Sequence, residues 1–123
     1  MEIREHLFEF ESYKGGPHHL QHRFAFPRPV ARASAVLKGW SAQFVDGDHH
    51  FGQLTVQLRT EIVNNAPDGP EIVLHAVLGL RDFSGSWDDR FGGTIDACVF
   101  YELGLDIHPP LDDRPEVEPP IES

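Results

Sequence analysis

The feature that most constrains this fold is an alternation of apolar and polar residues along most of the chain. Apolar side chains occupy every second position in the runs 54–58 and 95–103. A period of two is the pattern of a β-strand with one buried face, whereas a helix repeats about every 3.6 residues. The run 72–80 differs, because Val73 and Val77 make its second face apolar as well. We therefore expect a central strand there, or a strand covered by a neighbouring subunit.

Turn-forming residues divide these runs into short strands. Glycine and proline cluster at GGP (15–17) and at NNAPDGP (64–70). Such clusters form turns because glycine accepts a positive φ and proline fixes φ. The run 30–45 is long enough for one bent strand or for two, with Gly39 as the natural break. No segment carries a helical stripe, so the predicted fold is all-β: an antiparallel β-sandwich of six or seven strands.

The end of the chain differs in composition from the rest. Residues 104–123 hold six acids, one base and five of the ten prolines, which is a net charge of −5. Residues 1–103 hold fourteen acids and nine bases, which is also −5. We predict a β-sandwich domain over 1–103, followed by an extended, acidic, proline-rich tail over 104–123.

Charge and hydropathy exclude several kinds of partner. Neither part of the chain carries a basic patch, so we expect no nucleic-acid partner and no membrane partner. The single cysteine, Cys98, excludes an internal disulfide framework. No apolar run reaches the about 20 residues that cross a bilayer, and the beginning of the chain lacks the apolar stretch of a signal peptide. The expected location is the cytoplasm, with leaderless export left open.

The segment 81–93 (RDFSGSWDDRFGG) concentrates recognition chemistry between two predicted strands. Aromatic faces stack on the C–H patches of sugars while carboxylates accept bonds from hydroxyl groups. Trp and Arg are also common anchors of protein interfaces. The alternative is that the aromatic residues fold inward to cap the sandwich while the acids pair with arginine. The predicted ligand-binding residues are Asp82, Trp87, Asp88, Asp89 and Arg90.

Two histidine-containing segments are weaker candidates for a metal site. The segment 17–22 has a His-x-x-His spacing, but its flanks are typical of a strand. The segment 45–52 lacks an acid at its far end, and adjacent histidines on a strand point to opposite faces, so we favour a solvated hairpin turn there. We predict no resident metal or cofactor. The weak metal candidates of the second segment are Asp46, Asp48, His49 and His50.

The sequence favours binding over catalysis. It has no Gly-x-Ser-x-Gly elbow and no phosphate-binding glycine loop, and Cys98 lies in mid-strand as a small apolar residue. We predict a non-enzymatic binding module with carbohydrate as the favoured ligand of segment 81–93. Two alternatives stay open: an assembly protein whose segment 81–93 and tail form subunit interfaces, and a metal-dependent activity at 46–50. The two-faced strand 72–80 and the tail also predict a homo-oligomer.

From about residue 24 to residue 103 the order of features resembles the H-type lectin family. An aromatic strand leads to a proline-marked start (FPRPV, 26–30), a long strand and a loop. An alternating strand (GQLTVQL, 52–58), a Trp-bearing segment and a final strand follow. The resemblance implies a six-stranded antiparallel sandwich that trimerises and binds N-acetylgalactosamine-type sugars. The final strand ends in VFYEL (99–103) without a tryptophan, and Trp87 stands beside acids instead of a histidine, so no binding residue is carried over.

Overall fold

The structure, a computed structural model, describes residues 1–45, 51–82, 87 and 90–104. These residues contain no helix, and therefore none with the length and apolar character that a membrane crossing requires. The tail predicted at 104–123 lies outside the described residues apart from Gly104. The strands are β1 (Glu2–Tyr13), β2 (His18–Ala25), β3 (Val30–Phe44), β4 (Phe51–Val63), β5 (Glu71–Asp82) and β6 (Phe91–Leu103).

The six strands form two antiparallel sheets of three strands each. One sheet has the order β1-β6-β3 and the other has the order β2-β5-β4. The sheets pack face to face, with β1 over β2, β6 over β5 and β3 over β4. This arrangement confirms the predicted antiparallel β-sandwich, with six strands in the part of the chain that the structure describes.

The core lies between the two central strands, because every second residue of β5 and β6 points inward. β5 is the middle strand of its sheet, which explains why both of its faces are apolar. On its outer face Val73 is 1% exposed and His75 is 8% exposed within the single chain. The largest fully buried side chains are Ile72, Val73, Leu74 and Leu78 of β5 together with Phe91, Ile95 and Val99 of β6.

The run 30–45 forms one bent strand, not two. β3 continues through Gly39, and its pairing with β6 shifts by one residue between Leu37 and Gly39. The extra residue, Lys38, makes a β-bulge that bends the strand without ending it. The glycine therefore marks the irregularity that the sequence indicated, while the hydrogen-bonded ladder resumes on both sides.

The segment between β5 and β6 is shorter than the predicted 81–93 loop. Arg81 and Asp82 still pair with β4, and Phe91 to Gly93 already pair with β1 and β3. The sequence suggested a longer loop because charged and glycine residues are common in loops. Here those residues extend two ladders, since the neighbouring strands are long enough to pair with them. Asp82 is therefore a strand residue, opposite Phe51 of β4.

Turn residues and one side chain tie the sandwich together. Gly15, Gly16 and Gly69 have positive φ values of 111°, 123° and 108° in the connections before β2 and β5, as expected for glycine in turns. Asn64, in the turn between β4 and β5, bridges the two sheets. Its Oδ1 accepts from the Val30 amide at 2.8 Å, and its Nδ2 donates to the Val30 carbonyl at 3.1 Å.

Candidate functional site

The outer face of the β2-β5-β4 sheet gathers polar side chains from all three strands. In an antiparallel ladder, residues directly opposite each other point to the same face. Val77 of β5 lies opposite His19 of β2 and Gln57 of β4. One step along the same face, His75 lies opposite Gln21 of β2 and Arg59 of β4. The alternation of each strand therefore places imidazole, amide and guanidinium groups in two adjacent rows.

These rows line an open pocket of about 420 Å³. That volume falls within the roughly 300–1,000 Å³ of small-molecule sites in proteins. His75 and Val77 are less exposed than the flanking side chains and form its floor, whereas His19, Gln57 and Arg59 stand at the surface. The lining residues are His19, Gln57, Leu58, Arg59, His75 and Val77.

A chain of two hydrogen bonds crosses the pocket from β4 to β2. Glu61 Oε1 lies 3.0 Å from His75 Nε2, and His75 Nδ1 lies 2.9 Å from His19 Nε2. A carboxylate can only accept, so the Nε2–H of His75 donates to Glu61 and leaves Nδ1 as an acceptor for the Nε2–H of His19. The Nδ1 of a neutral His19 then carries a free lone pair. Both nitrogens of the buried His75 are satisfied, which fixes its ring in one orientation.

The electrostatics of this chain favour a charged Glu61. The hydrogen bond from His75 lowers the pKa of the Glu61 carboxyl, partial desolvation opposes this, and the positive charges of Arg59 and Arg23 lower the pKa further. The carboxylate side chain is half exposed, so solvent screens much of the attraction. Glu61 thus acts as an anionic anchor that holds the His75 tautomer.

Arg59 is the cation of the pocket, and its charge acts on the Glu61 carboxylate without a close contact between the two groups. The Arg23 guanidinium lies 2.8 Å from Glu71, and Arg32 pairs with Glu102 on the other sheet. Arg59 makes no hydrogen bond and no ion pair with any residue in the described ranges. Its planar fork of donors therefore faces solvent beside the pocket, where it can receive an acceptor from a ligand.

Trp87 lies at one end of the same face. A Cβ placed on Gly79 of β5 would be 3.1 Å from Cη2 of the indole and 3.1 Å from Pro17. Gly79 is two residues, or about 7 Å, along the strand from Val77 at the pocket floor. The Trp87 carbonyl accepts from the Gly15 amide at 3.1 Å, and Arg81 Cζ lies 5.9 Å from the indole ring. The ring is half-buried and also packs against the edge of the core.

The other residues predicted from the sequence lie elsewhere or outside the described residues. Asp82 ends β5 beyond Arg81, and Arg90 Nη1 donates to Ser12 Oγ of the opposite sheet at 3.4 Å. No described contact joins Arg90 to the pocket. Within the described ranges, no three His, Cys, Asp or Glu side chains converge on a metal position. Predicted residues that lie outside the described residues are Asp46, Asp48, His49, His50, Asp88 and Asp89.

Sequence reasoning considered His19 only as part of segment 17–22 and missed the other residues that form the pocket. One signal was available, because His75 is the only polar side chain in the otherwise apolar and glycine run 72–80. A histidine within a strand that is buried on both faces requires hydrogen-bond partners. Its partners Glu61 and His19 lie 14 and 56 residues away in sequence. Only the pairing of β5 with β4 and β2 identifies them.

Comparison of this chain with protein-family models, curated proteins and solved structures finds no match. What the pocket can bind therefore follows from its own side chains. His19, Gln57 and Arg59 offer both donors and acceptors, while Val77 and Leu58 add apolar contact. Such a mixture is suited to a small polar ligand with some apolar surface.

Proposed function

We propose that this protein is a non-enzymatic binding module that holds a carbohydrate on the outer face of the β2-β5-β4 sheet. The observation that carries the proposal is the pocket of about 420 Å³, lined by an amide, a guanidinium and a hydrogen-bonded pair of imidazoles. Sugar hydroxyl groups both donate and accept hydrogen bonds, so they require this combination of side chains. The lining includes no serine or cysteine nucleophile, which favours binding over covalent catalysis.

The site is preorganised for a ligand. His19, Gln57, Arg59 and His75 stand on strands of one sheet, and β5 between them is buried on both faces. Binding therefore requires little backbone ordering, which would otherwise reduce the affinity. Trp87 borders the same face over Gly79, where an aromatic ring can contact the C–H surface of a sugar. The segment first identified by sequence thus contributes one edge of the proposed site.

Binding to a glycan array, followed by titration of the hits in solution, tests this proposal. We expect Gln57→Ala and Trp87→Ala each to weaken binding by about 5- to 50-fold, as the loss of one or two direct contacts predicts. Gln43→Ala is the matched control, because Gln43 is an exposed glutamine on β3 of the opposite sheet. The absence of any hit, or hits that respond to Gln43→Ala as strongly as to Gln57→Ala, would overturn the proposal.

The opposite sheet supports a second proposed role, assembly with further copies of the chain. Eight large hydrophobic side chains are exposed in the described residues, and five of them lie in β1 or β3. Val36 is 47% exposed and shares the outer face with Ile3 and Leu7 of β1. The central strand β5 is buried within one chain, so the support for assembly is this apolar surface and not the two-faced strand. These five residues are Ile3, Leu7, Val36, Leu37 and Trp40. Leu37 and Trp40 lie opposite Ala97 and Ile95, whose side chains face the core, so the outer apolar surface consists of Ile3, Leu7 and Val36.

Sedimentation velocity at micromolar concentration tests the assembly role. We expect a homo-oligomer, and we expect Val36→Lys to shift it toward monomer because a charge would then be desolvated at the contact. Ile62→Lys is the matched control, since Ile62 is 39% exposed but lies on β4 of the other sheet. A monomeric wild-type protein would rule out the role. An equal response to both substitutions would assign the contact to another surface.

A further inference from the structure

We infer that the ligand of the outer-face pocket carries an anionic group, so that an acidic sugar such as a uronate is preferred over its neutral counterpart. This inference rests on the proposed function, because it names the chemical class of ligand for the same site. It depends on the charges that line the pocket and on which of them are already paired.

The pocket lining is basic although the protein is acidic. The ionisable residues that line it are Arg59, His19 and His75. The Glu61 carboxylate beside it is bonded to His75. The whole chain carries a net charge of −10, and half of this charge lies in residues 104–123. The guanidinium of Arg59 therefore gives the pocket a local positive group that attracts an anion.

Arg59 is placed to take that anion. Arg23 and Arg32 each have a carboxylate within 2.8 Å, whereas Arg59 has none among the described residues. A guanidinium binds a carboxylate through two parallel hydrogen bonds, and these bonds are stronger than bonds between neutral groups. A carboxylate of the ligand would form with Arg59 the kind of ion pair that Glu71 forms with Arg23.

The histidine pair adds a hydrogen-bonding group at the β2 side of the pocket. His19 Nε2 lies 2.9 Å from His75 Nδ1. The Nδ1 of His19 is therefore the ring nitrogen that is not engaged with His75 and can bond to a ligand.

Each strand of this sheet contributes charged groups near the His19–His75 pair. β2 contributes Arg23, β5 contributes Glu71 and Arg81, and β4 contributes Arg59 and Glu61. The Arg23–Glu71 pair is internally neutral, and Glu61 is bonded to His75. Arg59 therefore supplies the positive charge of the pocket.

The experiment is a titration of the full chain with matched sugars, in which backbone amide chemical shifts report binding. The probes are galactose and galacturonate, glucose and glucuronate, and acetate as an anion without a sugar. We expect each uronate to bind about 10- to 100-fold more tightly than its neutral partner, as one charge-assisted pair predicts.

Two variants locate the effect. Arg59→Gln should lower uronate affinity toward that of the neutral partner, so that the preference for uronate is lost. Arg32→Gln is the control, because Arg32 is an exposed arginine on the opposite sheet. Equal binding of neutral and acidic sugars to the wild type would overturn this inference and leave the carbohydrate proposal standing, as would a uronate preference that survives Arg59→Gln.

The remaining outcomes separate the two proposals. If acetate binds as tightly as the uronates and neutral sugars do not bind, the anion site is supported and the carbohydrate proposal fails. If no sugar and no acetate perturbs the amides of β2, β4 or β5, both proposals fail. Arg59 is exposed, so its substitution should leave the fold intact, and the circular dichroism spectrum of the variant should match that of the wild type.

Discussion

The second and third residues of β6, Gly92 and Gly93, pass between the backbones of β1 and β3 without side chains, and Gly93→Ala tests how strictly this is required. A Cβ on Gly92 would lie 2.8 Å from the Phe10 carbonyl oxygen of β1. A Cβ on Gly93 would overlap the Ser41 carbonyl oxygen and lie 2.9 Å from Ala42 Cα. These are backbone atoms held in the β3–β6 ladder, so they cannot rotate away as a flexible side chain could.

Gly93→Ala therefore requires a shift of β3 or β6. Overpacking in a well-packed interior costs about 1–3 kcal/mol, and the upper end applies here because backbone must move. Distortion of ladder hydrogen bonds adds about 1 kcal/mol for each bond that is weakened. The reduced entropy of the unfolded alanine chain offsets about 0.4–1 kcal/mol. We expect a net loss of about 3 kcal/mol in the free energy of unfolding, or a fall in Tm of about 10 °C.

Urea unfolding followed by tryptophan fluorescence measures this loss, since Trp40 and Trp87 both lie in the folded domain. Gly39→Ala is the matched control. Gly39 lies in the adjacent β3, an added Cβ there would have no neighbour within 4 Å among the described residues, and its φ is outside the left-handed region. We expect that variant to remain within about 1 kcal/mol of the wild type. If the two variants unfold at the same urea concentration, the steric argument about Gly93 is wrong.

Three further predictions concern the sheet contact, a titrating residue and the weak metal candidates. Asn64→Ala should lower the unfolding free energy by about 1–2 kcal/mol, because two inter-sheet hydrogen bonds are lost. Asn65→Ala in the same turn is the control, and equal unfolding midpoints for the two variants would contradict the expectation. Burial, and then the neighbouring His22, lower the pKa of His6 from 6.5. The unfolded chain therefore binds a proton at His6 more readily than the folded chain does. The contribution of His6 to the free energy of unfolding is complete above pH 6.5 and is lost as the pH falls below that value toward the lower pKa of the folded state. His6→Phe should reduce the difference in urea midpoint between about pH 8 and about pH 5.5, and an unchanged difference would refute the assignment. Metal analysis of protein purified without an affinity tag should find no bound transition metal, and a stoichiometric ion lost on substitution of residues 46–50 would reverse that prediction.

The fold was predictable because its main signal is local. Alternation within 54–58 and 95–103 identifies strands without any knowledge of their partners. Two apolar faces over 72–80 indicated a central strand, and β5 is the middle strand of its sheet. The boundaries were harder to predict. Arg81 and Asp82 have the composition of a loop, yet they continue the β4–β5 ladder because β4 is long enough to pair with them.

The candidate site was only partly predictable. Trp87 stood out by residue type, and it lies over Gly79 at one end of the polar face. His19 and His75 did not stand out as a pair, because nothing along the chain connects residues 56 positions apart. The sequence drew attention to adjacent histidines, while the structure joins two separate ones by a hydrogen bond.

The sequence by itself determined the strands, the turns between them and the inward-facing residues, because these depend on side-chain periodicity and on the φ preferences of glycine and proline. The tertiary structure decided which strands are neighbours and in what register. Pairing β5 with β2 and β4 brings His19, His75 and Glu61 into one chain of hydrogen bonds. It also leaves Arg59 without a carboxylate among the described residues. Strand register is set by many weak contacts distributed over both sheets, and a shift of one residue would turn these side chains to the opposite face.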